Sequence, residues 1–172
     1  MSYSWQDFRV YMADEYPPTH IFGSFPPSAV EDIANGVSKK ENILKMIRNQ
    51  KGVSSQDIEQ MLLGERTPLG RLGYQYKKSQ IDEQNRAEID GFHPELGIAL
   101  EVEKGRGVAG NQIMLDLWKF IVIDEIKYGV IIIPVISREG KEHPFRTTVR
   151  KFTPLGDKLD KLGLKGLAVV GY

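Results

Sequence analysis

Apolar residues fall into three kinds of run along this chain. Ala87–Phe92 and Ile98–Lys104 alternate apolar with polar residues, the mark of strands with one covered face. They predict a hairpin: a first strand Ala87–Phe92, a turn over His93–Gly97 and a second strand Ile98–Lys104, with Asp90 near the turn. Period two puts Ile98, Leu100 and Val102 on a core face and Ala99, Glu101 and Glu103 on the other. Tyr128–Ile136 is an unbroken β-branched run, which predicts a strand buried on both faces, and Leu164–Tyr172 reads as a final apolar strand. Helical spacing marks Gln112–Glu125, where Ile113, Leu117, Phe120 and Ile121 share a face behind an Asn111 cap. Apolar residues cover so much of this helix that burial against a sheet or at a subunit interface follows, with Met114 and Trp118 in the core. Strand, helix and strand in succession imply a parallel crossover.

The N-terminal part reads as helical. A helix Trp5–Tyr16 behind Ser4 stops at Pro17-Pro18, and Ser28–Glu31 opens another that ends near Asn35-Gly36. Ser38–Glu41 opens a third to about Gln50, and Ser54-Ser55 opens a fourth, Gln56–Leu63, stopped at Gly64. Thr19–Pro27 reads as a loop with Phe22 and Phe25 against the body. Tyr74–Ser79 reads as a strand, Gln80–Asn85 as a polar loop, and Thr153-Pro154 as the start of a helix ending at Gly163. The expected architecture is one α/β domain, a mixed sheet flanked by helices, with a helical part over about 1–65 and a sheet core over about 72–172.

Composition narrows the chemistry. The chain has no cysteine, which excludes a zinc–thiolate site and a cysteine nucleophile and fits a cytoplasmic location. No signal peptide or membrane span is expected. Twenty-three basic and 23 acidic residues give no net charge, so any nucleic-acid contact must rest on local patches. The hairpin offers the best site, since it brings Asp90, Glu101 and Glu103 into one small volume. Crowded carboxylates repel unless something neutralises them, and a divalent cation with oxygen ligands is the natural partner. A solvated hairpin face would show the same alternation. His20, His93 and His143 have no ligand spacing.

Asp90 followed, after ten residues, by Glu101-Val102-Glu103 resembles the PD-(D/E)xK nuclease motif. Ile89 replaces the motif proline, and Glu103 stands in the lysine place, as an acid does in BamHI. Lys104 cannot serve as the motif lysine, because Val102 would then be the acid two residues before it. The helix around Leu115–Phe120 and the strand Tyr128–Val135 extend the similarity towards the BglII and BstYI group of type II restriction endonucleases. The resemblance implies a Mg2+-dependent endonuclease, with Mn2+ as a substitute, cutting double-stranded DNA as a homodimer. It implies Asp90, Glu101 and the Val102 carbonyl as metal ligands, with Glu103 orienting or deprotonating water or binding a second ion. Members of the superfamily often add an acid from an earlier helix, for which Glu41 and Glu59 are candidates beside a plain surface role.

Candidate DNA contacts are Lys77 and Lys78, interleaved with Tyr74 and Tyr76, then Lys104, Arg106 in the glycine-rich link Gly105–Gly110, and Asn111. Arg138, Lys141, Arg146, Arg150 and Lys151 read by default as scattered surface cations. The rival readings are a repair or structure-selective nuclease and a non-catalytic DNA-binding or assembly domain of the same fold. A glycoside hydrolase ranks below both, because Glu101 and Glu103 share a strand face and could not flank a sugar bond.

Overall fold

The computed structural model describes residues 18–40, 42–44, 54–82, 85–104, 111–137 and 140–172, with backbone alone over 77–82 and 85–87. Among the described residues, six strands form one sheet in the order β1-β6-β5-β4-β3-β2. They are β1 Thr19–Gly23, β2 Gln75–Asp82, β3 Asn85–His93, β4 Ile98–Val102, β5 Tyr128–Ile133 and β6 Gly166–Gly171. β4, β5 and β6 run parallel, while the β3–β4, β2–β3 and β1–β6 pairs are antiparallel. The sheet is therefore mixed. Helices are α1 Pro27–Ser38, α2 Ser55–Leu63, α3 Gln112–Val122 and α4 Pro144–Phe152.

Two apolar layers sandwich the sheet. On one side Ile98, Leu100, Val102, Val130, Ile132, Ala168 and Val170 meet Ala29, Val30, Ile33 and Val37 of α1 and Ile58, Leu62 and Leu63 of α2. On the other, Ala99, Ile131, Ile133, Leu167 and Val169 meet Ile113, Leu117 and Phe120 of α3 and Phe152 of α4. The division of β4 into a core face and an Ala99–Glu101 face stands as the alternation predicts. α3 carries the chain from β4 to the parallel β5, the expected crossover.

Several boundaries differ from expectation. Thr19–Pro27 is not all loop: β1 pairs with β6 at the sheet edge, burying Phe22, and Phe25 tucks in beyond it. α1 runs through Asn35-Gly36 rather than ending there, and its cap residue is Pro26, not Ser28. Gly36 is used for close packing, since a Cβ there would lie 2.6 Å from Leu69 Cδ2. Ser38 closes α1 instead of opening a new helix. Ser54 does cap α2, through a reciprocal box with Asp57. That box holds the Asp57 carboxyl below its usual range through its bonds to Ser54. The polar loop Gln80–Asn85 shrinks, because β2 continues to Asp82 and β3 begins at Asn85. α3 stops at Val122, short of Glu125, and β5 stops at Ile133. The helix expected from Thr153-Pro154 to Gly163 is present as two 3-10 segments, Thr153–Lys158 and Asp160–Leu162, with Gly163 as the left-handed cap, while Thr153 Oγ1 donates to Val149 O at 2.9 Å and closes α4. The expected first helix and most of the Ser38–Gln50 helix lie outside the described residues. No helix among the described residues is long and apolar enough to cross a membrane.

Candidate active site

The site forms where β3 parts from β4. Their antiparallel ladder pairs His93 with Ile98, Phe92 with Ala99 and Gly91 with Leu100, then stops. One more step would set Asp90 opposite Glu101. Asp90 therefore stands at the open end of the hairpin, not beside the turn. There its Oδ2 accepts a hydrogen bond from Val102 N at 2.8 Å, so a side chain replaces the lost ladder bond and is pinned by it. Gly91 matters to this geometry, because a Cβ at that position would lie 2.7 Å from Leu63 Cδ2 of α2.

Glu101 and Glu103 follow on the α3 side of β4. Glu101 is buried, and Glu103 sits one residue past the strand end. Its backbone is held on both sides: Glu103 N donates to Ile132 O at 2.8 Å, and the Tyr172 hydroxyl donates to Glu103 O at 2.9 Å. Facing them from α3 are two residues that sequence reasoning did not single out. Lys119 Nζ donates to Glu101 Oε1 at 3.0 Å and lies 3.1 Å from Asp116 Oδ1. Gln112 Nε2 also donates to Asp116 Oδ1, at 3.1 Å. Asp116 and Lys119 are three residues apart on one helix, which places both on the same face. The signal was present in the sequence: Asp116 lies next to the apolar stripe of α3, where a charged residue needs a buried partner.

The electrostatics describe one coupled cluster. Burial pushes the Glu101 carboxyl up to about 9, helped by the Asp90 charge and opposed by Lys119. Burial pushes Glu103 up to about 8, with the neighbouring Asp116 carboxylate as the next cause and Asp90 adding to it. Burial works to lower the Lys119 ammonium, but the charges of Glu101 and Asp116 outweigh it and hold Lys119 above the ordinary lysine range. Asp90, Glu101, Glu103 and Asp116 thus lie close enough to act on one another's charge, with one ammonium among them.

The donors are all carboxylate oxygens, the set preferred by a hard divalent cation such as Mg2+. Asp116 Oδ2 is buried without an N–H or hydroxyl donor, and beyond Gln112 and Lys119 the carboxylate meets only the Glu103 carboxyl, a pair of acids that a cation would satisfy better than a shared proton. The chemistry of these residues therefore fits a metal ion. Among the described residues, however, no three His, Asp or Glu side chains converge as a ready-made ligand set, and Glu101 is turned to Lys119.

The other candidates are placed as follows. Glu59 is not on the surface: it is buried on α2, where the Tyr76 hydroxyl donates to its Oε2 at 3.4 Å. Lys104 points towards the α2 layer, where its charge acts on Asp57, the face opposite Glu101 and Glu103. Asn111 occupies the cap position of α3 but makes no side-chain cap bond, and its carbonyl accepts from Met114 N and Leu115 N instead. Trp118 and Met114 are not core residues: Trp118 is 61% exposed, and Met114, Leu115 and Val122 are exposed with it. Lys77 and Lys78 lie on the edge strand β2, their side chains outside the described residues, as are Glu41, Arg106 and Arg138 altogether. His93 packs edge-on against Tyr74 at 5.2 Å, and His20 is buried on β1 with its imidazole pKa lowered by burial.

A six-stranded mixed sheet layered by helices is the architecture of the restriction-endonuclease fold. Residues 27–172 match the Halo_RE family model, described as "Putative halobacteria restriction endonuclease", and the chain belongs to that family. Among solved structures, restriction endonuclease BglII complexed with a DNA 16-mer has the same fold. The TM-score is 0.54 over 89% of this chain and 75% of that one, at 12% sequence identity. No curated protein matches the sequence.

Proposed function

We propose that this protein is a Mg2+-dependent endonuclease, with Mn2+ as a substitute, that hydrolyses double-stranded DNA as a homodimer in the cytoplasm. The observation that carries the reading is the Asp90–Val102 bond, which locks the aspartate beside the end of β4, where Glu101 lies on the strand and Glu103 just past it. In this reading Asp90 and Glu101 hold the cation, with the Val102 carbonyl beside them. Glu103 sits at the edge of the cluster, where it orients the attacking water or accepts its proton. When bound, the cation supplies a positive charge against the phosphate and makes a nearby water more acidic. The protein's part is to bury Glu101 and Asp116 beside the half-buried Asp90 and Glu103, where weak solvent screening makes the cluster favour a cation.

Duplex cleavage calls for one site per strand. A twofold dimer supplies two related sites, and the exposed apolar residues of α3 offer a surface for such a pairing. Lys77, Lys78, Lys104, Arg106 and Asn111 are the proposed DNA contacts. That BglII was solved with DNA supports the substrate class.

Mapping cut ends on a mixed plasmid panel tests the reading. A site-specific enzyme gives discrete bands, whereas a repair or structure-selective nuclease gives nicks or smears. The Glu101–Lys119 pair favours a second reading, a non-catalytic DNA-binding domain in which the acids are neutralised for good. Under that reading the pure protein binds neither Mg2+ nor Mn2+ in titration calorimetry.

A further inference from the structure

Asp116 and Lys119 stand outside the Asp90, Glu101 and Glu103 motif, and nothing in that motif requires them. Asp116 is wholly buried at 0% exposure. A buried carboxylate is expensive unless its charge is compensated and its lone pairs are filled. Here the compensation is half complete. Oδ1 receives Gln112 and Lys119 at 3.1 Å each, Oδ2 has no N–H or hydroxyl donor, and the one further partner of the carboxylate is another acid, Glu103, which can donate only while it keeps its proton. The same ammonium also serves Glu101 at 3.0 Å. A single positive charge is thereby shared by two buried acids, with Asp90 and Glu103 close by.

The residue that shares it is also adaptable in kind. Lysine is a compact charge on a flexible four-carbon stem, unlike the planar guanidinium of arginine. The Lys119 side chain keeps 25% of its surface in solvent, so it has a way out that leaves the backbone of α3 in place.

We propose that the Lys119 ammonium occupies the seat of a divalent cation, and that Asp116 joins Glu101 in holding that cation once Lys119 withdraws to solvent. Asp116 is then a helix-borne ligand, supplied after the motif strand. The purpose of the cation rests on the nuclease reading, but its binding does not, and the two can fail separately.

The test uses the whole purified chain without DNA, with Mn2+ as the probe and free Mn2+ counted by electron paramagnetic resonance. Lys119→Met removes the competing charge and keeps the bulk of the stem. It binds Mn2+ at least about tenfold more tightly than the unaltered protein. Adding Asp116→Asn to Lys119→Met abolishes the gain. Equal Mn2+ affinity with and without Lys119, or a gain that survives Asp116→Asn, overturns the proposal. Should Lys119→Met fail to fold, crystals of the unaltered protein grown with Mn2+ decide the matter. Anomalous density against Glu101 and Asp116, with Lys119 Nζ moved away, supports it. An intact Lys119–Asp116 pair, with Mn2+ elsewhere or not bound, overturns it. Mg2+-dependent DNA cleavage without the Mn2+ gain leaves the nuclease reading standing and sinks this one. The gain without cleavage does the reverse.

Discussion

At the scale of single residues, the site is a problem of surplus negative charge. Asp90 is held by a backbone N–H, Glu101 by Lys119, and Asp116 by Gln112 and Lys119. Glu101→Gln or Asp90→Asn keeps size and shape and removes one carboxylate donor for the cation. Each lowers Mg2+-dependent cleavage at least about a hundredfold, the scale of loss that follows when a metal site is disturbed. Circular dichroism and melting temperature stay near those of the unaltered protein. The raised carboxyls also make a pH prediction. Glu101 and Glu103 hold their protons up to about 9 and about 8 in the fold, against an ordinary value of 4.5. Between those limits the folded state binds more protons than the unfolded chain, so stability falls as pH rises through this window. Thermal melts of the metal-free protein from pH 5 to pH 9 should show that fall, and Glu101→Gln should flatten it. A melting temperature that rises across the window contradicts the assigned environment. The shared face of Glu101 and Glu103 was legible because strand alternation fixes it from local sequence alone, whereas Asp90 was expected beside the turn and only the β3–β4 register puts it at the open end of the hairpin. For Asp116 and Lys119 the sequence held only the hint of a charge beside an apolar stripe, because their partners lie on another element and only the packing of α3 on β4 brings them together.

At the scale of elements, the packing of α3 against the sheet sets the site. Phe120 of α3 lies over β5 at Gly129, where an added Cβ would collide with the Phe120 ring. Gly129→Ala should therefore destabilise the fold by about 1–3 kcal/mol, the usual range for overpacking. The same displacement moves Lys119, one residue from Phe120, so Mn2+ affinity should change with it. Urea melts and a Mn2+ titration check both. Unaltered stability in the Gly129→Ala variant would show that α3 is not seated as described. The strands β4, β5 and β6 were readable as apolar runs, since every residue of β4 and β6 is buried. The edge strand β1 was not, because the prolines around it mark a loop while its pairing partner lies far along the chain. The helix ends were misread for a similar reason: Gly36 looked like a stop, yet tertiary contact with Leu69 uses its missing side chain.

At the scale of the molecule, the sheet order β1-β6-β5-β4-β3-β2 puts the acid hairpin next to the parallel centre. The N-terminal helices support one face, and α3 supplies the opposite wall of the site. The even charge balance of the chain leaves no overall basic field, so DNA affinity should come from local contacts. Trp118, expected in the core, instead projects to solvent from the helix that carries Asp116 and Lys119. Under the homodimer proposal, sedimentation velocity gives twice the 19.5 kDa chain mass, and Trp118→Ser moves the boundary towards the monomer. A single monomer boundary at every concentration would remove the dimer from the account.

The central claim is that the acids gathered at the parting of β3 and β4 direct a cation to a DNA phosphodiester. Plasmid DNA incubated with the pure protein, its Glu101→Gln variant and its Asp90→Asn variant tests it most directly, each with Mg2+ and with EDTA. The account predicts cut DNA only for the unaltered protein with Mg2+. Uncut DNA in every lane, or equal cutting by the variants, would contradict it.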